Sequence, residues 1–277
     1  MKSSQPTRSS RVFLAMAVVC LAVSFAAAAA KRLLDRPVVS EITWVQGGGY
    51  RLKSTINTGA RASHNPVLLV VLHGDLGTGQ DEFAANAAVN QDVIAVGLLR
   101  PGYTDAQGNT SDGQKGLTTG DNYNAQNTDA IAAAVVELKR RFTPRKTVLA
   151  GHSGGAAIVA NILGRHPEIA DEALLISCPC DVEAWRRHMF QKTRFAGFQG
   201  KVDTLSPIDQ INGLSDHVRV TMIVGTNDDV APSSLSEHYR DAAVKLGKRV
   251  RLIELAGKGH EIFFDRAVFA ELEPMLK

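Results

Sequence analysis

Ser153 sits in Gly151-His152-Ser153-Gly154-Gly155, a G-x-S-x-G run between an apolar stretch and a small-residue stretch. A serine hydroxyl attacks carbon only when a base takes its proton and a third group orients that base. Two later segments offer such groups. "TNDDVAP" carries Asp228 and Asp229, and "AGKGHEIFF" carries His260 between glycine-rich and apolar residues. Together they would support nucleophilic attack on an acyl carbon, with Ser153 as nucleophile, His260 as base and an aspartate as orienting acid. His73 and His152 flank this set and are expected to orient loops through hydrogen bonds. His64, His166, His188, His217 and His238 show no H-E-x-x-H spacing, so no metal site is expected. The glycines from Gly74 to Gly79 lack the Lys-Ser/Thr of a phosphate loop, and no G-x-G-x-x-G follows the early strands.

These residues need elements to hold them. Residues 38–45 and 50–56 read as paired strands joined through "QGGG". The apolar, β-branched run 65–74 reads as a strand covered on both faces, and 92–99 as another. Strands are also expected at 146–150, 172–177, 218–225 and 249–255, with helices near 80–90, 125–141, 154–165, 233–246 and 262–276. Strands alternating with helices predict a mostly parallel, doubly wound α/β sheet with flanking helices. On it, Ser153 falls at a strand-to-helix turn, where a strained backbone lifts the hydroxyl above the sheet edge. The polar segment 100–122 is too long to be mere connection.

From about residue 65 to the end the chain resembles the α/β-hydrolase superfamily, in the chain order Ser153, Asp228, His260. Within it, residues 218–264 look most like prolyl-oligopeptidase-like and dienelactone-hydrolase-like catalytic domains. "GTNDDVAP" resembles their G-x-x-D-D-x-x-P acid loop, which implies Asp228 as the triad acid and Asp229 as its neighbour. "GKGH" resembles their histidine loop, and "HGDLG" their H-G-x-x-G turn, which implies the Asp75 N–H as one oxyanion donor. The Gly154 N–H, just after the nucleophile, would be the other. "RPGY" at 100–103 is also common in the superfamily. The resemblance implies an α/β-hydrolase fold, an acyl-enzyme mechanism on esters, thioesters or amides, and no metal or organic cofactor. Only residues 31 to 72 precede His73 beyond the first thirty, too few for a β-propeller, so oligopeptidase specificity is not expected.

Segment 181–217 is expected to form a small helical cap. Trp185 and Phe190 from it, with Tyr103 after the fourth strand, are the candidate substrate-binding side chains. Its basic residues Arg186, Arg187, Lys192, Arg194 and Lys201 read either as an anion-attracting rim or as the solvated face of a packed helix. Three activities remain: an esterase, a peptidase or acylaminopeptidase with the same triad, and a binding protein that kept the fold. No acidic pair dedicated to a substrate amino group is evident, which favours the esterase. The expected partner is a small ester or short peptide.

The N-terminus is of another kind. Lys2, Arg8 and Arg11 precede an apolar run from Val12 to Ala30 that ends in small residues, as in a secretory signal peptide. An uncleaved membrane anchor is the alternative reading of that run. Residues 1–30 hold those three bases and no acid, so the formal charge of +3 belongs to this segment and nucleic-acid binding has no support. Residues 31–277 are then expected as one domain, secreted or periplasmic. Cys178 and Cys180, in C-P-C, read equally as a disulfide or as two thiols.

Overall fold

The computed structural model describes residues 38–277, so the N-terminal run read above as a signal peptide or anchor, with Cys20, lies outside the described residues. Strand β1 (Val39–Gly47) turns through Gly48 and Gly49 into β2 (Tyr50–Thr58). Both turn residues have positive φ, 55° and 92°, so the "QGGG" signal meets the demand of a two-residue hairpin. β2 pairs antiparallel with β4 (Val93–Leu98), and β4 pairs parallel with β3 (Val67–Leu72). The sheet continues in parallel through β5 (Lys146–His152), β6 (Glu172–Ile176), β7 (Arg219–Gly225) and β8 (Arg249–Leu255). The order β1-β2-β4-β3-β5-β6-β7-β8 is the eight-stranded, mostly parallel sheet of an α/β-hydrolase.

Every residue of β3 and β4 is buried, as their unbroken apolar runs require. One face carries Leu68, Val70, Leu72, Val96 and Leu149. Helices α2 (Ala125–Phe142), α3 (Gly154–Arg165) and α6 (Ser233–Lys245) cover it. The other face, with Val67, Leu69, Val71 and Ala95, is covered by α1 (Gln80–Ala88) and α7 (Arg266–Leu272). Between β6 and β7 run α4 (Val182–Thr193), a 3₁₀ turn at Ala196–Phe198, α5 (Pro207–Gln210) and a second 3₁₀ turn. The expected last helix begins four residues late and gives way to a 3₁₀ turn at Glu273–Leu276. Asp265 caps α7 by accepting from the Ala267 N–H, and Pro274 cannot continue it. Cys178 and Cys180 form a disulfide directly after β6. None of the described helices is long and apolar enough to cross a membrane.

Candidate active site

Four parallel strands deliver the predicted residues to one edge of the sheet, at their C-terminal ends. β3 ends into His73-Gly74-Asp75, β5 into Ser153, β7 into Asp228, and β8 into the loop of His260. Ser153 has φ 52° and ψ −121°, a strained conformation for a residue with a side chain. Its neighbours explain how that turn is possible. A Cβ on Gly155 would lie 2.5 Å from the Leu72 and His73 carbonyl oxygens, so only glycine lets α3 start this close to β3.

Ser153 Oγ lies 3.0 Å from His260 Nε2. On the far side of the ring, Nδ1 lies 3.0 and 2.9 Å from the two Asp228 oxygens. Asp228 Oδ1 also accepts from the Val230 and Ala231 N–H groups, at 3.0 and 2.7 Å. Burial pushes the Asp228 carboxyl up, but the His260 hydrogen bond and charge and the two backbone donors outweigh it and hold the group below its ordinary value. Asp229 instead points outward to Lys192 at 2.6 Å, so geometry separates the two neighbouring aspartates.

Gly154 is the first residue of α3, so its N–H has no intrahelical partner and stands at the positive end of the helix. The Asp75 carboxylate stands against Gly154, its Oδ1 the nearest atom to the position a Cβ there would take. His73 is fully buried; its Nδ1 donates to the Gly74 carbonyl at 2.6 Å and its Nε2 accepts from the Arg100 N–H at 3.0 Å. Burial, then the Arg100 charge, holds it well below the ordinary histidine value and hence neutral. His152 Nε2 meets the His260 carbonyl at 3.1 Å, and Ser177 Oγ donates to the same oxygen at 3.2 Å. Both fix the His260 backbone. Burial, then the His260 charge, also lowers the His152 value.

Ser153 and His260 open onto a cavity of about 680 Å³. Its apolar walls come from Trp185, Met189, Phe198, Phe263 and Phe264. Trp185 lines the cavity, its indole N–H donating to the Val230 carbonyl at 3.0 Å. Tyr103 and Phe190 lie elsewhere. Tyr103 turns under the sheet edge and packs edge-on against His73 with centroids 4.6 Å apart. Phe190 lies beyond the lining, beside the Arg194 guanidinium at 5.9 Å. Of the long polar loop, Thr118 reaches the cavity. Much of the rest is tied down: Ser111 Oγ accepts from the Lys53 N–H, and Asp112 from the Arg51 N–H. Arg186 is buried and donates to the Thr119 and Gly197 carbonyls, so this base staples cap to loop rather than forming a charged rim. Phe263 and Phe264 join the lining from three and four residues past His260, where an aromatic pair beside the histidine loop is the sequence signal for them.

A prolyl oligopeptidase family model matches residues 103–277, well over half the chain. The chain belongs to the prolyl oligopeptidase family. Prolyl oligopeptidase family members are hydrolases, and the fold agrees: the chain is an α/β-hydrolase. No curated protein matches the sequence significantly. Among solved structures, Est1E from Butyrivibrio proteoclasticus, with ferulic acid bound, is similar at TM-score 0.63 and 14% identity, covering 84% of this chain and 97% of that one. The acylaminoacyl peptidase of Pyrococcus horikoshii is similar at TM-score 0.66 and 12% identity, over 87% of this chain and 40% of its own. Dipeptidyl peptidase 4 of Porphyromonas gingivalis is similar at TM-score 0.67 and 15% identity, over 87% and 35%. At these identities the likeness is one of fold.

Proposed function

We propose that this protein is a serine hydrolase of carboxylic esters working through Ser153, His260 and Asp228. The observation that carries the reading is the unbroken hydrogen-bonded line from Ser153 Oγ through His260 to Asp228, opening onto an aromatic-walled cavity. Ser153 Oγ attacks the carbonyl carbon as its proton passes to His260 Nε2. Asp228 holds the Nδ1–H tautomer and balances the imidazolium. The Asp75 and Gly154 N–H groups take the oxyanion, each contributing roughly 3–4 kcal/mol in comparable sites. When the tetrahedral intermediate collapses, His260 returns the proton to the leaving alcohol. Water, deprotonated by the same ring, then attacks the acyl-enzyme and releases the acid.

Trp185, Met189, Phe198, Phe263 and Phe264 suit an apolar acyl or aryl group. Family membership favours a second reading, cleavage of short peptides by the same residues. We place the enzyme outside the cytoplasm, exported by residues 1–30; the Cys178–Cys180 disulfide supports an oxidising compartment.

The test is intact-mass labelling with a fluorophosphonate, followed by turnover of p-nitrophenyl esters and aminoacyl-anilides. One adduct is expected on the wild type and none on Ser153→Ala or His260→Ala. A well-folded wild type that takes no adduct overturns the triad, and faster turnover of anilides than of esters overturns the esterase preference.

A further inference from the structure

The segment from Arg100 to Tyr123 contributes little to the cavity, yet it holds three buried polar side chains under the Asp75 loop. Arg100 is fully buried. Its Nη1 donates to Asp75 Oδ1 at 2.9 Å and to the His73 carbonyl at 3.2 Å, and its Nη2 donates to Asn122 Oδ1 at 2.8 Å. Asn122 Nδ2 in turn donates to the Pro101 and Gln114 carbonyls, at 3.0 and 3.1 Å. Tyr123, also fully buried, donates its hydroxyl to Asp75 Oδ2 at 2.7 Å. The guanidinium lies 4.9 Å from the Tyr103 ring centre and 5.5 Å from that of Tyr123. Both oxygens of one carboxylate are therefore held by separate buried donors.

Such an arrangement is costly to build. An unpaired buried guanidinium is strongly destabilising, and a bare carboxylate beside a developing oxyanion would oppose it. Placed together, Arg100 and Asp75 offset each other's charge, although the buried Arg100 Nε itself finds no partner. Burial, reinforced by the Asp75 charge, pushes the Tyr123 hydroxyl well above its ordinary value, so it stays a donor. Location gives the network its meaning. Asp75 carries one backbone N–H assigned to the oxyanion, and Gly154 carries the other. Asp75 Oδ1 and the Tyr123 hydroxyl are the nearest atoms to the position a Cβ on Gly154 would take.

We propose that Arg100 and Tyr123 are positioning residues for the oxyanion hole, clamping the Asp75 carboxylate so that the Asp75 and Gly154 N–H groups converge on one point. The proposal rests on the serine-hydrolase reading above. A donor displaced by a fraction of an ångström binds substrate as before but stabilises the transition state less, so the loss falls on kcat.

The test uses the full chain with Tyr123→Phe, Asp75→Ala and the double variant, all of which keep both backbone N–H groups. Tyr123→Phe is expected to lower kcat on p-nitrophenyl butyrate about tenfold with KM within about twofold, and to slow fluorophosphonate labelling in parallel. Thermal midpoints guard against a folding defect. Because Tyr123 acts through Asp75, the double variant is expected to lose little beyond Asp75→Ala alone. Wild-type kcat in folded Tyr123→Phe, or losses that multiply independently, would overturn the clamp. A wild type that neither hydrolyses esters nor takes the label overturns the underlying reading as well, whereas an active wild type with an unaffected Tyr123→Phe removes the clamp alone.

Discussion

At the scale of single residues, the site separates groups of similar chemistry by their surroundings. Asp228 and Asp229 are adjacent in sequence, yet one accepts from His260 and two backbone N–H groups while the other meets Lys192 at the surface. Asp228 titrates below the ordinary carboxylate value, so it remains charged throughout the range in which an ester hydrolase would be assayed. Asp228→Asn tests its role. An amide can occupy the same space but favours the wrong His260 tautomer, so kcat is expected to fall about 10⁴-fold. The thermal midpoint should move only modestly, because the Val230 and Ala231 donors still find an oxygen. Steady-state kinetics beside a melting curve checks this; a variant retaining a tenth of wild-type kcat would remove Asp228 from the mechanism. His73 and His152 are histidines of another use. Each is buried, held below its ordinary value and committed to backbone atoms, one at the Asp75 loop and one at the His260 loop.

At the scale of elements, the site depends on how closely α3 approaches β3. Gly155→Ala puts a methyl against two carbonyl oxygens that cannot move without shifting the strand end. The expected cost is about 1–3 kcal/mol in stability, with fluorophosphonate labelling lost in the folded fraction because the Gly154 N–H moves with the helix. Denaturant unfolding and intact mass measure the two effects; a fully labelled variant of wild-type stability would contradict the close-packing account. The loop after β8 supplies a gentler probe. Phe264 lines the cavity but is 43% exposed, so Phe264→Ala should leave stability nearly unchanged. It should raise KM for hexanoate over acetate esters roughly fivefold, and equal effects on both chain lengths would place the acyl group elsewhere. These elements differ in how readily the sequence reveals them. Strands β3 and β4 are legible because a strand covered on both faces must be apolar throughout, and the elbow because its glycines answer a local steric demand. Side-chain direction is harder. Trp185 and Met189 are four apart on α4 and share its cavity face, while Phe190 lies one residue further round the helix. Tyr103 follows a turn closed by its own N–H onto the Arg100 carbonyl, which swings the ring beneath His73. Nothing in residues 100–123 announced a buried arginine, since its acid partner Asp75 lies 25 positions away.

For the whole molecule, the lowered carboxyl and histidine values fall in two acid ranges. Asp92, Asp105, Asp129 and Asp228 all lie below their reference value of 3.8 in the folded chain. Their stabilisation is complete above about pH 4 and is lost only as pH falls through the still lower folded values. His73 and His152 act earlier. Their folded values lie below 6.5, so the unfolded chain takes up protons below that pH while the native chain does not. Stability from these two is fully present above pH 6.5 and declines as pH falls below it. The surroundings reinforce the direction for His73, where Arg100 and Lys115 oppose a positive ring and the Gly74 carbonyl alone favours it. Around His152, the His260 carbonyl, Glu261 and Asp228 favour the charge, but burial and the His260 ring charge prevail. The thermal midpoint is therefore expected to be level from pH 8 to 7 and to drop between pH 6.5 and 5, with the carboxylates still contributing in full. His73→Gln, whose amide can donate to the Gly74 carbonyl without titrating, should show a shallower drop. A wild-type midpoint that is flat down to pH 5, or a variant with the same slope as wild type, would mean that proton uptake at His73 is not what limits the fold in mild acid.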